Sequence, residues 1–93
     1  VAGATWPEEA QALRATLPSA PFLIPGFGAQ GAGPEQATSG LIRGKHGWEG
    51  GLVNSTRGLI FPKTAACARS LAAWQVAIAA TIDQNKAILN STF

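Results

Sequence analysis

The sequence predicts an α/β fold with parallel strands, and three observations carry that prediction. Short apolar runs such as Pro21-Phe22-Leu23-Ile24-Pro25 and Gly51-Leu52-Val53 are bounded by proline or glycine, as strands buried in a parallel sheet are. Each run leads into a polar or glycine-rich loop, and apolar residues at helical spacing follow it. The connections are short, and strand, helix, strand, helix in that order implies parallel strands joined by right-handed crossovers. With 93 residues, 46% hydrophobic and 13% charged, the chain is globular in composition and at most one small domain.

Taken in order, Val1-Ala2-Gly3-Ala4-Thr5 reads as the inside of a first strand. Pro7 then suits the first turn of a helix, with Thr5 as its N-cap and Glu8 and Glu9 near the positive end of the dipole. Ala10, Leu13 and Leu17 recur at helical spacing and Pro18 ends the run. The second strand, Phe22 to Ile24, is predicted to be buried on both faces and feeds the loop from Gly26 to Gly33. Pro34, Glu35 and Gln36 begin a short helix ending near Gly40. The stretch Arg43 to Gly50 is polar and Gly-rich, which predicts an exposed loop, and Gly51 to Asn54 is the third strand. Beyond Leu59-Ile60-Phe61, Pro62 opens one long helix whose Cys67, Leu71, Trp74, Ile78, Ile82 and Leu89 form a core-facing stripe. An isolated three-stranded parallel sheet would expose two edges and one face, so this pattern fits a larger sheet or a closed barrel.

Charge and cysteine content narrow the function classes. Seven Lys and Arg against five acids leave a formal charge of +2, scattered and without aromatic interleaving, which argues against a nucleic-acid surface. The single cysteine, Cys67, forms no internal disulfide and reads as a small core residue, as Trp74 also does; a reducing cytoplasm is the expected location. The sequons at Asn54 and Asn90 read as accidental, and the apolar runs are far too short to cross a bilayer. His46 has no second ligand or triad partner in its exposed loop, so neither a metal nor a catalytic role is assigned to it. The opening residues lack an initiator Met or a polar leader, and the full protein is expected to begin upstream of Val1.

Two loops carry chemistry. Gly26-Phe27-Gly28-Ala29-Gln30-Gly31 matches the dinucleotide fingerprint G-x-G-x-x-G literally, between a strand and a helix. A Rossmann site also needs an acid at the end of the next strand to hold the ribose, and Asn54-Ser55 stands there instead. The glycines still let the backbone approach an oxyanion closely, although a plain tight turn would use them equally well. Gln30 can donate and accept at once, as a residue bridging two parts of a ligand must. In Asn54-Ser55-Thr56-Arg57-Gly58, Arg57 offers a planar fork for two phosphate oxygens; pairing with a neighbouring acid is the alternative. Two such loops after consecutive strands match the barrel pattern in which a phosphate sits beyond strands seven and eight.

These blocks, Gly3-Ala4-Thr5 with Pro7-Glu8-Glu9, then Phe22 to Gly31, then Gly51 to Gly58, together resemble the end of orotidine 5′-monophosphate decarboxylases of the bacterial group. The resemblance runs from Val1 to about Phe61, with the final helix alike only in character. It implies a (β/α)8 TIM barrel of which residues 1–93 supply strands six to eight and their helices. It also implies decarboxylation of orotidine 5′-monophosphate to uridine 5′-monophosphate in pyrimidine biosynthesis, with neither metal nor organic cofactor. By the same resemblance Gln30 bridges pyrimidine and phosphate, Arg57 and Thr56 take the phosphate with backbone amides, Pro25 and Gly26 shape the wall near the base, and Gly28 belongs to the substrate- and phosphate-binding set. Phe27 stands where a smaller aliphatic residue is common. The Lys and Asp residues that act on the reacting carbon would lie upstream of Val1, and Lys45, Lys63 and Lys86 match none of them, so the segment alone is expected to be inactive. The implied partners are the nucleotide substrate and a second copy in a homodimer, not nucleic acid or membrane. Another phosphate-sugar barrel, an epimerase or sugar-phosphate decarboxylase, or an inactive phosphate-binding fragment are the competing readings.

Overall fold

The computed structural model describes residues Val1–Phe93. Helix α1 (Pro7–Thr16) precedes strand β1 (Phe22–Ile24), and α2 (Pro34–Thr38) follows it. Strands β2 (Ile42–Gly44) and β3 (Gly47–Glu49) come next, then β4 (Gly51–Val53), α3 (Thr56–Ile60), α4 (Lys63–Ala66) and α5 (Leu71–Asn90). Strands β1 and β4 pair in parallel with Phe22 opposite Gly51 and Ile24 opposite Val53, so both reach their C-terminal ends at one level.

Residues 1–5 run beside β1 without completing a ladder, which corrects the predicted opening strand. The Ala2 N–H donates to the Leu23 carbonyl at 2.9 Å and the Ala4 N–H to that of Pro25 at 2.8 Å. A parallel ladder needs the return bond from the N–H of residue 25, and proline has none. Helix α1 starts one residue later than read: its N-cap is Trp6, which makes no side-chain capping bond, rather than Thr5. Of the apolar residues read at helical spacing only Ala10 is buried, while Leu13 and Leu17, the latter just past the helix, are exposed.

Strand β1 is covered on one face, not two. Phe22 and Ile24 are buried, but Leu23 is 48% exposed beside its cross-strand neighbour Leu52 at 73%. Side chains alternate across a strand, so one layer of helices can cover only alternate residues, and nothing in the chain packs on the Leu23–Leu52 face.

The expected loop at Arg43 to Gly50 is instead a β-hairpin, with Ile42 opposite Glu49 and Gly44 opposite Gly47 around a Lys45-His46 turn. Its glycines lie at the turn, where they shape the reversal rather than abolish pairing. The hairpin is held on the end of α5. Trp48 Nε1 donates to the Leu89 carbonyl at 3.3 Å and to Thr92 Oγ1 at 3.2 Å, and the Trp48 and Phe93 rings meet edge to face at 5.4 Å. Arg43 donates to the carbonyls of Thr92 and Phe93, placing a cation at the negative end of the α5 dipole.

The single long C-terminal helix is likewise corrected to a short α4, a break at residues 67–70, and α5. Ser70 sets the restart: its backbone is extended and its hydroxyl accepts from the Ala73 N–H at 3.1 Å. The predicted stripe is only partly the packed one. Thr81 is buried and Ile78, Asn85 and Leu89 are half-buried, whereas Cys67, Leu71, Trp74 and Ile82 are exposed. The apolar residues of α5 are spread around the helix rather than gathered on one side, so periodicity could not choose its face. Thr81 and Asn85 tolerate that face because each bonds a carbonyl one turn back, at 2.8 Å.

The core is built largely from small residues. Ala2, Ala4, Ala32 and Ala37 surround Phe22, Ile24 and Phe27, with Leu41, Val53 and Leu89 packed at the edge. Below the strands, Arg14 acts as a clamp. It donates to the carbonyls of Gly40 (2.8 Å), Ala20 (2.7 Å) and Gly50 (2.7 Å), and its guanidinium carbon lies 3.9 Å over the Phe22 ring. The Ala20 and Gly50 carbonyls lie where the chain enters β1 and β4, and that of Gly40 lies just after α2, so Arg14 ties the N-terminal ends of both strands to the end of that helix. The surface of 6216 Å² exceeds the roughly 5000 Å² of a compact monomer of this mass. The radius of gyration, 14.5 Å, likewise exceeds the roughly 12 Å of a compact chain this long.

Candidate functional site

Because β1 and β4 are parallel and in register, the segments that follow them leave the sheet side by side. They enclose an open cleft of about 280 Å³, solvent-facing space included. The segment after β1 contributes Gly26, Phe27, Ala29 and Gln30, and the segment after β4 contributes Asn54, Ser55, Thr56 and Arg57.

The first segment is a turn closed on itself. The Gly31 N–H donates to the Gly28 carbonyl at 2.8 Å, the Gly28 N–H to Ala32 at 3.0 Å, and the Ala32 N–H to Gly26 at 3.2 Å. Gly26 and Gly28 hold φ of 106° and 81°, a region in which a Cβ would be strained, so the turn requires glycine there. Phe27 is buried in the core and anchors the turn, while Gln30 at its tip is exposed. An aromatic ring thus fits where the resemblance would put a smaller aliphatic side chain.

The second segment continues the sheet for one more bond, from the Asn54 N–H to the Ile24 carbonyl at 2.9 Å, before α3 begins. Ser55 occupies the N-cap position but makes no capping bond; its hydroxyl donates across the cleft floor to the Phe27 carbonyl at 3.3 Å. Arg57 follows on the exposed side.

Of the residues expected to bind ligand, Gly26, Gln30, Thr56 and Arg57 line this cleft. Pro25 and Gly28 flank it, Pro25 through its carbonyl bond to Ala4 and Gly28 as the hinge of the turn. Phe27, Ala29, Asn54 and Ser55 line it as well without having been singled out as side chains. For Asn54 and Ser55 the signal was adjacency to Arg57; the buried anchoring of Phe27 had none. His46 sits exposed at the hairpin tip, away from the cleft, and Cys67 is exposed in the break before α5. No group of three or more His, Cys, Asp and Glu in the chain is placed to hold a metal ion. No helix is long and apolar enough to cross a membrane.

The cleft therefore offers one guanidinium, a side-chain amide at Gln30 and another at Asn54, two hydroxyls and no carboxylate. That donor-rich set suits an anion carrying further polar groups. The chain is thus an α/β segment whose parallel strands present a donor-rich cleft at their C-terminal ends.

Comparison with known proteins makes the relationship specific. Over 61 residues the chain is 52% identical to the orotidine 5′-phosphate decarboxylase of Halobacterium salinarum, matching 66% of this chain and 22% of that protein. It is 50% identical over 62 residues to that of Haloarcula marismortui, matching 66% of this chain and 21% of the relative. It is 36% identical over 90 residues to that of Rhodopirellula baltica, matching 92% of this chain and 29% of the relative. This chain is homologous to a segment of the orotidine 5′-phosphate decarboxylases, and it spans between about a fifth and a third of the length of these curated relatives. No family model and no solved structure matches it.

Proposed function

We propose that the full-length protein carrying this chain decarboxylates orotidine 5′-monophosphate to uridine 5′-monophosphate, and that residues 1–93 supply its phosphate-gripping loops. The observation that carries the reading is the joining of the Gln30 and Arg57 loops in one cleft that holds a guanidinium and no carboxylate. In this reading the Arg57 fork takes two phosphate oxygens, Thr56 and backbone amides take others, and Gln30 spans from phosphate toward the base. Pro25 and Gly26 shape the adjoining wall, and Gly28 lets the turn's backbone approach the phosphate. Phosphate is remote from the breaking C–C bond, so its binding energy serves to assemble and orient the site around the reacting carbon. The groups that act on that carbon would come from outside residues 1–93.

The same reading places β1 and β4 in a (β/α)8 barrel as its last strands, with residues 1–5 beside them. The uncovered Leu23–Leu52 face and the outer edge of β4 are where the remaining strands and barrel-filling side chains would pack. The enzyme would act in the cytoplasm as a homodimer. The test is Arg57→Ala in the full-length protein, assayed on the nucleotide and on the nucleoside lacking phosphate. Two charge-assisted hydrogen bonds are lost, so the ratio of kcat/KM for nucleotide over nucleoside falls by roughly two to four orders of magnitude. An unchanged ratio would remove the phosphate from this cleft.

A further inference from the structure

We propose that Ser55 is a positioning residue that holds the Gln30 turn and the Arg57 segment at the spacing their shared ligand needs. The inference rests on the phosphate reading above and adds to it the element that joins the two halves of the grip.

Three observations carry it. A serine at an N-cap ordinarily turns its hydroxyl onto the N–H groups of the following turn. Ser55 occupies that position ahead of α3 and makes no such bond. Its hydroxyl instead donates to the Phe27 carbonyl at 3.3 Å, in the other loop and 28 residues earlier in the chain. No other side-chain hydrogen bond connects the two loops that line the cleft. The space around the hydroxyl is kept by glycines on both sides: a Cβ on Gly58 would lie 2.8 Å from Ser55 Oγ, and one on Gly28 would lie 3.6 Å from it. Side chains larger than hydrogen at residue 58 would force the hydroxyl away from Phe27.

The bond acts through backbone. Phe27 is buried in the core, so its carbonyl is a fixed acceptor, and the turn from Gly28 to Ala32 is internally bonded and moves as a unit. Fixing Ser55 against Phe27 therefore sets the distance from Gln30, at the tip of that turn, to Arg57, two residues after Ser55. A ligand gripped at both ends gains from that preorganisation, because the loops need no ordering when it binds. Phosphate alone, held by Arg57, gains less.

The experiment uses the full-length protein with four variants: Ser55→Ala, Gly58→Ala, Arg57→Ala, and Ser55→Ala combined with Arg57→Ala. Each is assayed for kcat/KM on orotidine 5′-monophosphate and on orotidine. Loss of one neutral hydrogen bond that orders a loop is expected to lower the nucleotide-over-nucleoside ratio roughly tenfold in Ser55→Ala. Gly58→Ala, which keeps the hydroxyl but displaces it, is expected to reproduce that loss. With Arg57 already removed, Ser55→Ala should lower the ratio little further, since the two act as one unit. Equal losses on both substrates, or fully additive effects in the double variant, would overturn the proposal and leave Ser55 a structural residue. If Ser55→Ala does not fold, Gly58→Ala decides by the same ratio. If Arg57→Ala leaves the ratio unchanged, the phosphate reading itself fails; if Arg57→Ala lowers it and neither Ser55→Ala nor Gly58→Ala does, only the role of Ser55 fails.

Discussion

Arg14 offers the sharpest separation of stability from function, because it lies at the opposite end of the strands from the cleft. Arg14→Ala removes three short bonds, to the carbonyls of Ala20, Gly40 and Gly50, and the stacking on Phe22. The guanidinium is only half-buried, so water can reach part of what is vacated. Each lost bond then costs about 0.5–1 kcal/mol rather than the full value for a buried charged donor, and the cation–aromatic contact adds about 0.5–1 kcal/mol. The total is about 2–4 kcal/mol. In a domain of the size implied by the relatives, that lowers Tm by roughly 5–15 °C. Arg14→Lys should recover only a minor part of the loss, because an ammonium is a point charge and cannot span three carbonyls held in a fork. The assay is thermal unfolding of the full-length variants beside kcat/KM measured well below their Tm. The reasoning predicts a lowered Tm with unchanged kcat/KM. A variant of wild-type stability that has lost activity would refute it and would make the strands' N-terminal end part of the functional site.

Three further outcomes follow from particular contacts. In Gly51→Ala the new Cβ would sit 2.6 Å from the Phe22 carbonyl oxygen, which is backbone and cannot swing away; the β1–β4 pair should be destabilised by about 2–3 kcal/mol, read by denaturant unfolding of the full-length protein. Gln30→Ala should raise KM for the nucleotide without shifting the pH dependence of turnover, since an amide does not titrate; a shift of about one pH unit or more would couple Gln30 to the proton-transferring group. Expressed alone, residues 1–93 should self-associate or unfold without a sharp transition, because only 13 of 93 residues are buried and the Leu23–Leu52 face is open. A cooperative monomeric transition in sedimentation and calorimetry would contradict that.

Local signals were legible wherever one residue type has one physical meaning. Pro7 and Pro34 mark the starts of α1 and α2, Pro18 lies just past the end of α1, and the apolar Phe22-Leu23-Ile24 is a strand. The glycines of the Gln30 loop marked a tight turn, which the structure builds with positive φ at Gly26, Gly28 and Gly31, and the two polar blocks form the two walls of the cleft. Misreadings arose where several residues competed for one role. The apolar spacing from Cys67 to Leu89 suggested one unbroken helix, but Ser70 caps a new one. Gly44 and Gly47 suggested a loop, but they flank the turn of a hairpin whose Trp48 anchors it to α5.

By itself, then, the sequence determined the two strands that pair, the α/β alternation around them and the two loops whose residues line the cleft, because apolar runs, proline placement and turn chemistry are local properties of the chain. Tertiary structure alone decided that Leu23 and Leu52 share an uncovered face, that α5 packs through Thr81 and Leu89 rather than Leu71 and Ile82, and that Arg14 clamps the strands from below. It also decided that the Ser55 hydroxyl crosses to Phe27 instead of capping its own helix. Each of these depends on which surfaces residues far apart in the chain present to one another. Spacing along the chain does not encode that choice when a helix has apolar residues on several sides or when a hydroxyl has two acceptable partners.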